Sequence, residues 1–248
     1  MTTAPPWRQN LRLLATHPDV HARIVCIPPA GGGASFFHPW AADLPPGFEL
    51  WAVQLPGRED RLGDPPLSDL LLAARRVAAA LQWLVDRPYV LFGHSMGALV
   101  GYEAARILAT QRVPGPRHLF ASGCTPPDRH VPNDEPLSSP QQVIDELRRI
   151  GFSSDALDDP ETRAVVIPAI QHDLRMFYSY AHRPGQQLTC PITVLVGGED
   201  PHVPAADSPG WSRHTTAPVR TGVLPGDHYY LLDSHPEIIA RISSSLTG

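Results

Sequence analysis

Short apolar runs alternate with amphipathic stretches along most of this chain. Runs of apolar, β-favouring residues at 23–27, 48–54, 89–92, 118–122, 190–197 and 219–224 predict buried strands. Apolar residues recur at helical spacing through 67–85, and strong helix formers fill 98–110, with shorter helical patterns at 35–44 and 236–246. This alternation of strand and helix predicts an α/β fold whose mostly parallel sheet carries helices on both faces.

Ser95 lies where the predicted strand 89–92 meets the predicted helix 98–110, within Gly93-His94-Ser95-Met96-Gly97. Such a turn is too sharp for a β-carbon at its flanking positions, which explains the two glycines. The turn exposes the serine hydroxyl and directs the N–H of Met96 towards a developing oxyanion. A G-x-S-x-G match is weak alone, but a strand before it and a helix after it make Ser95 a candidate nucleophile.

A glycine-rich loop follows the first predicted strand, running from Pro28-Pro29-Ala30 through Gly31-Gly32-Gly33. Three glycines allow the backbone to pass close to another group. We favour an oxyanion loop in which the N–H of Ala30 faces that of Met96. A plain turn remains the simplest alternative. A phosphate-binding loop is a third, although the segment lacks G-x-G-x-x-G spacing and a G-K-[ST] sequence.

Two further polar residues follow predicted strands. Asp200 comes after the run 190–197 and His228 after the run 219–224. The order Ser95, Asp200, His228 is the order expected of a catalytic triad in an α/β-hydrolase. Glu199 is a competing candidate for the acid. Asp227 is another nearby carboxylate, but its adjacency to His228 places it poorly for holding the imidazole.

The strand–helix rhythm changes between residues 125 and 185. Prolines mark a loop, and helical patterns then occupy 139–149, where Ser139 is a candidate N-cap, and 160–180. Pro168 lies inside the second pattern and is expected to kink or divide it. Both patterns have an apolar face, so we predict that 125–185 forms a helical lid over the site. The alternative is that these helices only complete the core.

Composition narrows the class of protein. With 248 residues, 42% hydrophobic, the chain is long enough for one large core, and we expect a single domain over 1–248. Residues 1–20 contain no continuous apolar segment, which predicts neither a signal peptide nor a membrane anchor but a cytoplasmic protein. Three widely spaced cysteines (Cys26, Cys124, Cys190) suggest buried reduced thiols.

Charge excludes several chemistries. All 20 Lys+Arg residues are arginines, which rules out Schiff-base chemistry, a Ser-Lys dyad and a P-loop lysine. The net charge is −5 and the arginines are scattered, so we expect no nucleic-acid partner. His172 and His182 lack the H-E-x-x-H pattern of a zinc site, and we expect no metal.

Taken together, five segments resemble those of type II thioesterases, the stand-alone editing hydrolases of polyketide and nonribosomal peptide assembly lines in antibiotic biosynthesis. These segments are 27–37, Gln54-Leu-Pro-Gly-Arg58-Glu59, 93–97, 198–200 and 226–232. Pro29 stands where many members carry histidine or phenylalanine. If Ala30 supplies the oxyanion donor, this difference is harmless, because proline has no N–H to offer.

The resemblance implies hydrolysis of acyl groups from the phosphopantetheine arm of acyl or peptidyl carrier proteins, which clears stalled or wrongly primed units. It implies a monomer that needs no metal or organic cofactor, and it places Arg58 near the substrate entrance. A solvated turn is the alternative for the charged loop at 56–61. Two alternative functions share the same residues: a general carboxylesterase or lipase, and a non-catalytic interaction protein on the same fold.

Overall fold

A seven-stranded sheet forms the centre of the computed structural model, which describes residues 6–133, 137, 139–152 and 159–246. The strand order is β1-β3-β2-β4-β5-β6-β7, and only the pairing of β1 with β3 is antiparallel. The strands are β1 Leu11–Thr16, β2 Ala22–Ile27, β3 Phe48–Val53, β4 Tyr89–His94, β5 His118–Ser122, β6 Ile192–Gly197 and β7 Val219–Leu224. The predicted fold class is confirmed.

The helices begin at polar caps. They are α1 Leu70–Leu81, α2 Met96–Thr110, α3 Pro140–Arg149, α4 Pro160–Tyr178 and α5 His235–Ser244, and a 3-10 helix spans Ala34–Asp43. The side chain of Asp69 accepts the N–H of Leu72 at the start of α1. Ser139 and Gln142 form a reciprocal capping box at α3, which agrees with the predicted cap. These contacts satisfy N–H groups that a helix leaves unpaired.

Two layers of helices cover the sheet, one on each face. Because side chains alternate along a strand, Val25 and Ile27 of β2 pack with α1 and α2, whereas Ile24 and Cys26 pack on the opposite face. That opposite face is covered by the 3-10 helix and by α5. All six residues of β2 are buried, as expected for an interior parallel strand.

The structure differs from the sequence interpretation in two elements. Strand β1 was missed, because it is a half-exposed edge strand whose apolar pattern is interrupted by Arg12. Helix α4 is not divided at Pro168 but continues through it for 19 residues. Ile167 and Ile170 pack against α3 on either side of the proline, and this packing holds the helix together despite the lost hydrogen bond.

The parallel strands bring the predicted functional loops to one edge. The carboxyl ends of parallel strands share the same edge of a sheet, and β2, β4, β6 and β7 are parallel. The glycine-rich loop, Ser95, Asp200 and His228 each follow one of these strands. Within the described residues, none of the helices combines the length and apolar character needed to cross a bilayer. The three cysteines are buried and free.

Candidate active site

Ser95 occupies a strained position between β4 and α2. Its backbone angles, φ 54° and ψ −120°, lie outside the regions open to most residues. Its N–H donates to the carbonyl of Ser122 at 2.8 Å, which holds the turn against β5. A β-carbon on Gly93 would approach the carbonyl oxygen of Gly97 to 2.2 Å, and one on Gly97 would approach that of Ile27 to 2.3 Å. Both flanking positions therefore require glycine.

His228 and Asp200 form a buried hydrogen-bonded pair. Nδ1 of His228 lies 2.6 Å from Oδ2 of Asp200, and both side chains are almost inaccessible to solvent. The other carboxylate oxygen accepts the N–H of His202 at 2.8 Å. Burial is the largest single influence and raises the pKa of Asp200, but the hydrogen bond and charge of His228 and the N–H of His202 together outweigh it, so the pKa is lowered. An ionised Asp200 fixes the imidazole tautomer with its proton on Nδ1, leaving Nε2 as an acceptor.

The competing carboxylates lie elsewhere. Glu199 is exposed, although its backbone N–H donates to the carbonyl of Gly226. Asp227 accepts the N–H of Tyr229 at 2.8 Å. Asp200, rather than Glu199 or Asp227, is therefore the carboxylate that is hydrogen-bonded to His228.

Ser95 and His228 line the same cavity, which has a volume of about 360 Å³. Within the described ranges, no hydrogen bond joins the Ser95 hydroxyl to the imidazole. Such bonds are often long in ligand-free enzymes and tighten when the substrate binds. The shared cavity places the two side chains on the same space in which a substrate would bind.

Two backbone N–H groups are candidate oxyanion donors, and one of them, that of Ala30, belongs to a residue that lines this cavity. Met96 is the first residue of α2, and the first N–H groups of a helix have no partner within it. Ala30 lines the cavity, and no acceptor among the described residues receives its N–H. The next two N–H groups of the loop are occupied, since Gly31 donates to Asp173 and Gly32 donates to Pro29. Among the loop residues that line the cavity with Ser95, Ala30 therefore carries an N–H without an acceptor in the described part of the chain.

Arg58 lies in a different environment from the one predicted. It does not line the cavity with Ser95, and it is not in a solvated turn; its side chain is 5% exposed. The guanidinium binds the carboxylate of Asp173 in α4 through two hydrogen bonds. The burial and pairing of the guanidinium exclude a solvated environment for Arg58, whereas its place near a substrate entrance stays a prediction. Sequence reasoning did not identify Asp173, which is buried in α4, whereas the other carboxylate of this helix, Glu161, lies in its first turn.

Helices α3 and α4 form one wall of the cavity. Leu147 and Ile150 belong to α3 and its end, and Leu174, Phe177 and Tyr178 belong to α4. A second cavity of about 210 Å³ shares Pro29, Ala30, Leu147 and Tyr229 with the first. Its other walls are mainly apolar: Gly31, Gly32, Phe36, Phe152, Thr162, Val166 and Ile170. Residues 134–136, 138 and 153–158 of the predicted lid segment lie outside the described residues.

A second histidine lies behind His228, and sequence reasoning gave it no role. His94 is fully buried, with its ring 4.9 Å from that of His228 between centroids. Its Nδ1 lies 2.8 Å from the hydroxyl of Ser122, which in turn lies 2.5 Å from the hydroxyl of Tyr230. Burial lowers the pKa of His94 well below 6.5, so the ring stays neutral beside His228.

Comparison with known proteins gives consistent matches. Residues 22–246 match the family model described as a thioesterase domain. Thioesterase PikA5 of Streptomyces venezuelae is 37% identical over 236 residues, covering 92% of this chain and 82% of that protein. The gramicidin S biosynthesis protein GrsT of Aneurinibacillus migulanus is 36% identical over 231 residues, covering 90% and 88%. The solved structure of the type II thioesterase BorB from the borrelidin biosynthetic cluster has a TM-score of 0.88 at 34% identity, covering 99% and 100%.

Proposed function

Because this chain belongs to the thioesterase family, we propose that it hydrolyses acyl groups from the phosphopantetheine arm of acyl or peptidyl carrier proteins, as an editing enzyme of an assembly line. The observation that carries the proposal is the buried Asp200–His228 pair in the same cavity as a strained serine turn. The residues of a site are stronger evidence for a reaction than the fold that carries them. This site has the residue types that acyl transfer requires.

In the proposed mechanism, the hydroxyl of Ser95 attacks the thioester carbonyl while Nε2 of His228 takes its proton. Asp200 keeps the imidazole in the required tautomer and stabilises the imidazolium. The N–H groups of Ala30 and Met96 stabilise the tetrahedral oxyanion, and each such donor is worth roughly 10²- to 10³-fold in rate. Collapse of the intermediate expels the pantetheine thiolate, which His228 protonates.

Hydrolysis of the acyl-enzyme repeats the same steps with water. His228 removes a proton from water, which attacks the ester on Ser95, and the oxyanion forms again beside Ala30 and Met96. The neutral state of His94 matters here, because a second positive charge beside His228 would oppose formation of the imidazolium.

The two cavities suit different parts of the substrate, the larger one the pantetheine arm and the smaller one the acyl chain. Arg129 and Arg149 line the larger cavity, and their positive charge suits the phosphodiester of the pantetheine arm. The smaller, apolar cavity suits an acyl chain, since its walls include Phe36 and Phe152. Helices α3 and α4 would act as the lid over both. Carrier-protein partners are supported by two structural relatives of this chain, which come from NRPS/PKS pathways.

Replacement of Ser95 by alanine tests the proposal. We expect Ser95→Ala to lose acyl-enzyme formation and turnover of acyl-carrier thioesters, because no other group replaces the nucleophile. The fold should be kept, because the substitution removes only a hydroxyl group and leaves the β-carbon in place. Mass spectrometry of the protein after brief exposure to an acyl-carrier thioester, together with circular dichroism, provides the measurement.

The outcomes separate the alternative functions. Comparable rates on simple oxygen esters and on carrier thioesters would favour a general carboxylesterase. Absence of fluorophosphonate labelling at Ser95 in the wild-type protein would favour an interaction protein. Turnover that persists in Ser95→Ala would refute the assigned nucleophile.

A further inference from the structure

The pair formed by Arg58 and Asp173 connects the loop after β3 to helix α4. Nη1 and Nη2 of the guanidinium lie 2.5 and 2.9 Å from the two carboxylate oxygens, and the side chains are 5% and 1% exposed. The two residues are 115 positions apart in the chain. A buried ion pair of this kind is a poor source of stability, because desolvation of both charges offsets their attraction. Its two-point geometry, in contrast, fixes position and orientation.

Both members of the pair also bind the glycine-rich loop. Oδ2 of Asp173 accepts the N–H of Gly31 at 2.7 Å, and Nη1 of Arg58 donates to the carbonyl of Gly32 at 3.1 Å. Gly31 has φ +77°, and a β-carbon there would approach Cγ1 of Ile170 to 2.2 Å. Helix α4 is therefore seated directly on the peptide unit that follows Ala30.

The rest of this loop is fixed by the segment that carries Arg58. Oε1 of Gln54 accepts the N–H of Ala34 at 2.7 Å, and its Nε2 donates to the carbonyl of Arg58 at 3.1 Å. Oε1 of Glu59 accepts from both the N–H and the hydroxyl of Ser35, at 3.1 and 2.6 Å. The N–H groups of Gly31, Gly32, Ala34 and Ser35 are thus all occupied, whereas that of Ala30 has no acceptor among the described residues.

We propose that Arg58 and Asp173 are positioning residues that aim the N–H of Ala30 at the oxyanion, so that the oxyanion hole is complete only when α4 is seated. This inference rests on the proposed function, which makes Ala30 a donor. Its physical basis is that a hole donor acts only within about 2.7–3.1 Å of the oxyanion. The N–H of Ala30 shares a peptide unit with the carbonyl of Pro29, which accepts the N–H of Gly32 at 3.0 Å. Asp173 holds the peptide unit that follows Ala30. Holding both flanking peptide units fixes the direction in which the N–H of Ala30 points.

The test compares Asp173→Asn with Arg58→Lys and with the double variant, using carrier-thioester hydrolysis and inhibition by butylboronic acid. The boronic acid adds to Ser95 as a tetrahedral adduct with an oxygen in the oxyanion position. Glu103→Gln is the matched control, because Glu103 is a buried carboxylate whose two oxygens accept hydrogen bonds from Nη1 of Arg106 and which lines neither cavity described above. Circular dichroism gives the folded fraction to which rates are normalised.

We expect Asp173→Asn to lower kcat by about 10- to 100-fold and to leave KM within about threefold, because a misplaced donor weakens the transition state rather than the substrate complex. The inhibition constant of butylboronic acid should rise by a similar factor. The kcat of the double variant should be only slightly lower than that of the more impaired single variant, since the effects of residues that act as a unit are not additive. Glu103→Gln should lower the melting temperature while leaving kcat within about twofold.

Two results would overturn the inference. One is a folded Asp173→Asn enzyme with kcat and boronic acid inhibition within about twofold of wild type. The other is a fall in kcat without any change in boronic acid inhibition. Should Asp173→Asn not fold, Arg58→Lys, which keeps the positive charge, decides by the same criteria. Failure of the proposed function can be distinguished from failure of this inference. In that case the wild-type protein would not hydrolyse carrier thioesters, and Ser95→Ala would have no such activity to lose.

Discussion

At the scale of single residues, environment separates side chains that are chemically alike. Glu199 and Asp200 are adjacent carboxylates at the end of β6, but only Asp200 is buried and accepts a hydrogen bond from His228. The N–H of Asp200 donates to the carbonyl of Gly197, which closes a turn directly after β6. Sequence reasoning identified Asp200 from its place after a strand, and the burial gives the physical reason.

Asp200→Asn should lower kcat by roughly 10⁴-fold, by analogy with the same substitution in serine proteases, because the amide stabilises the wrong imidazole tautomer. Glu199→Gln is the matched control and should keep kcat within about twofold, since its side chain is exposed. Steady-state hydrolysis of a carrier thioester by both variants gives the comparison. A larger loss in Glu199→Gln than in Asp200→Asn would mean that the acid is wrongly assigned.

At the scale of elements, the unit that matters most is β4, the turn at Ser95 and α2. The first turn of α2 packs against the end of β2, where the glycine-rich loop begins. This contact places the start of α2 beside the start of the glycine-rich loop, whose Ala30 lines the cavity with Ser95. A change in the first turn of α2 therefore affects both donors, whereas a change one turn later does not.

Gly97 and Gly101 of α2 offer a matched pair of substitutions. A β-carbon at Gly97 would lie 2.3 and 2.6 Å from the carbonyl oxygens of Ile27 and Pro28, which are backbone atoms that cannot yield. We expect Gly97→Ala to destabilise the protein by about 1–3 kcal/mol and to reduce activity strongly.

Gly101→Ala should be tolerated, because its β-carbon would meet only side-chain atoms, of Ile27 at 3.1 Å and of Leu119 at 3.7 Å. Alanine also gains up to about 1 kcal/mol of helix propensity over glycine, which offsets the tight contact. Urea unfolding and thioester turnover measure both effects. Equal activity and stability of the two variants would contradict the packing argument.

At the scale of the whole molecule, the fold holds several histidines in a neutral state. Burial lowers the pKa values of His94, His130, His182 and His214, and it lowers that of His118 to about 4, with a further contribution from the charge of Arg220. A histidine whose folded pKa is depressed favours folding above its unfolded pKa, and this stability is lost as the pH falls below about 6.5. The net result is a fold that weakens in mild acid.

His118→Gln isolates one part of this effect. His118 stacks on Phe120, and its Nε2 lies 2.8 Å from the hydroxyl of Thr193. Between pH 6 and 4.5, the free energy of unfolding of the variant should fall less steeply than that of wild type, by up to about 1.4 kcal/mol per pH unit.

Urea unfolding at several pH values provides the measurement. Above pH 7, the free energy of unfolding should change with pH equally in the two proteins, because His118 is neutral there in both the folded and the unfolded state. Equal slopes in the acidic range would mean that His118 does not carry this share.

The sequence by itself determined the strands β2 to β7, the turn at Ser95 and the order Ser95, Asp200, His228. Buried parallel strands have continuous apolar runs, and the residues that follow them can be identified locally. Only the tertiary structure decided that Arg58 is buried against Asp173, that His94 lies behind His228, and that β1 extends the sheet. These features depend on contacts between segments far apart in the chain, and local patterns specify elements without specifying which of their polar side chains will meet.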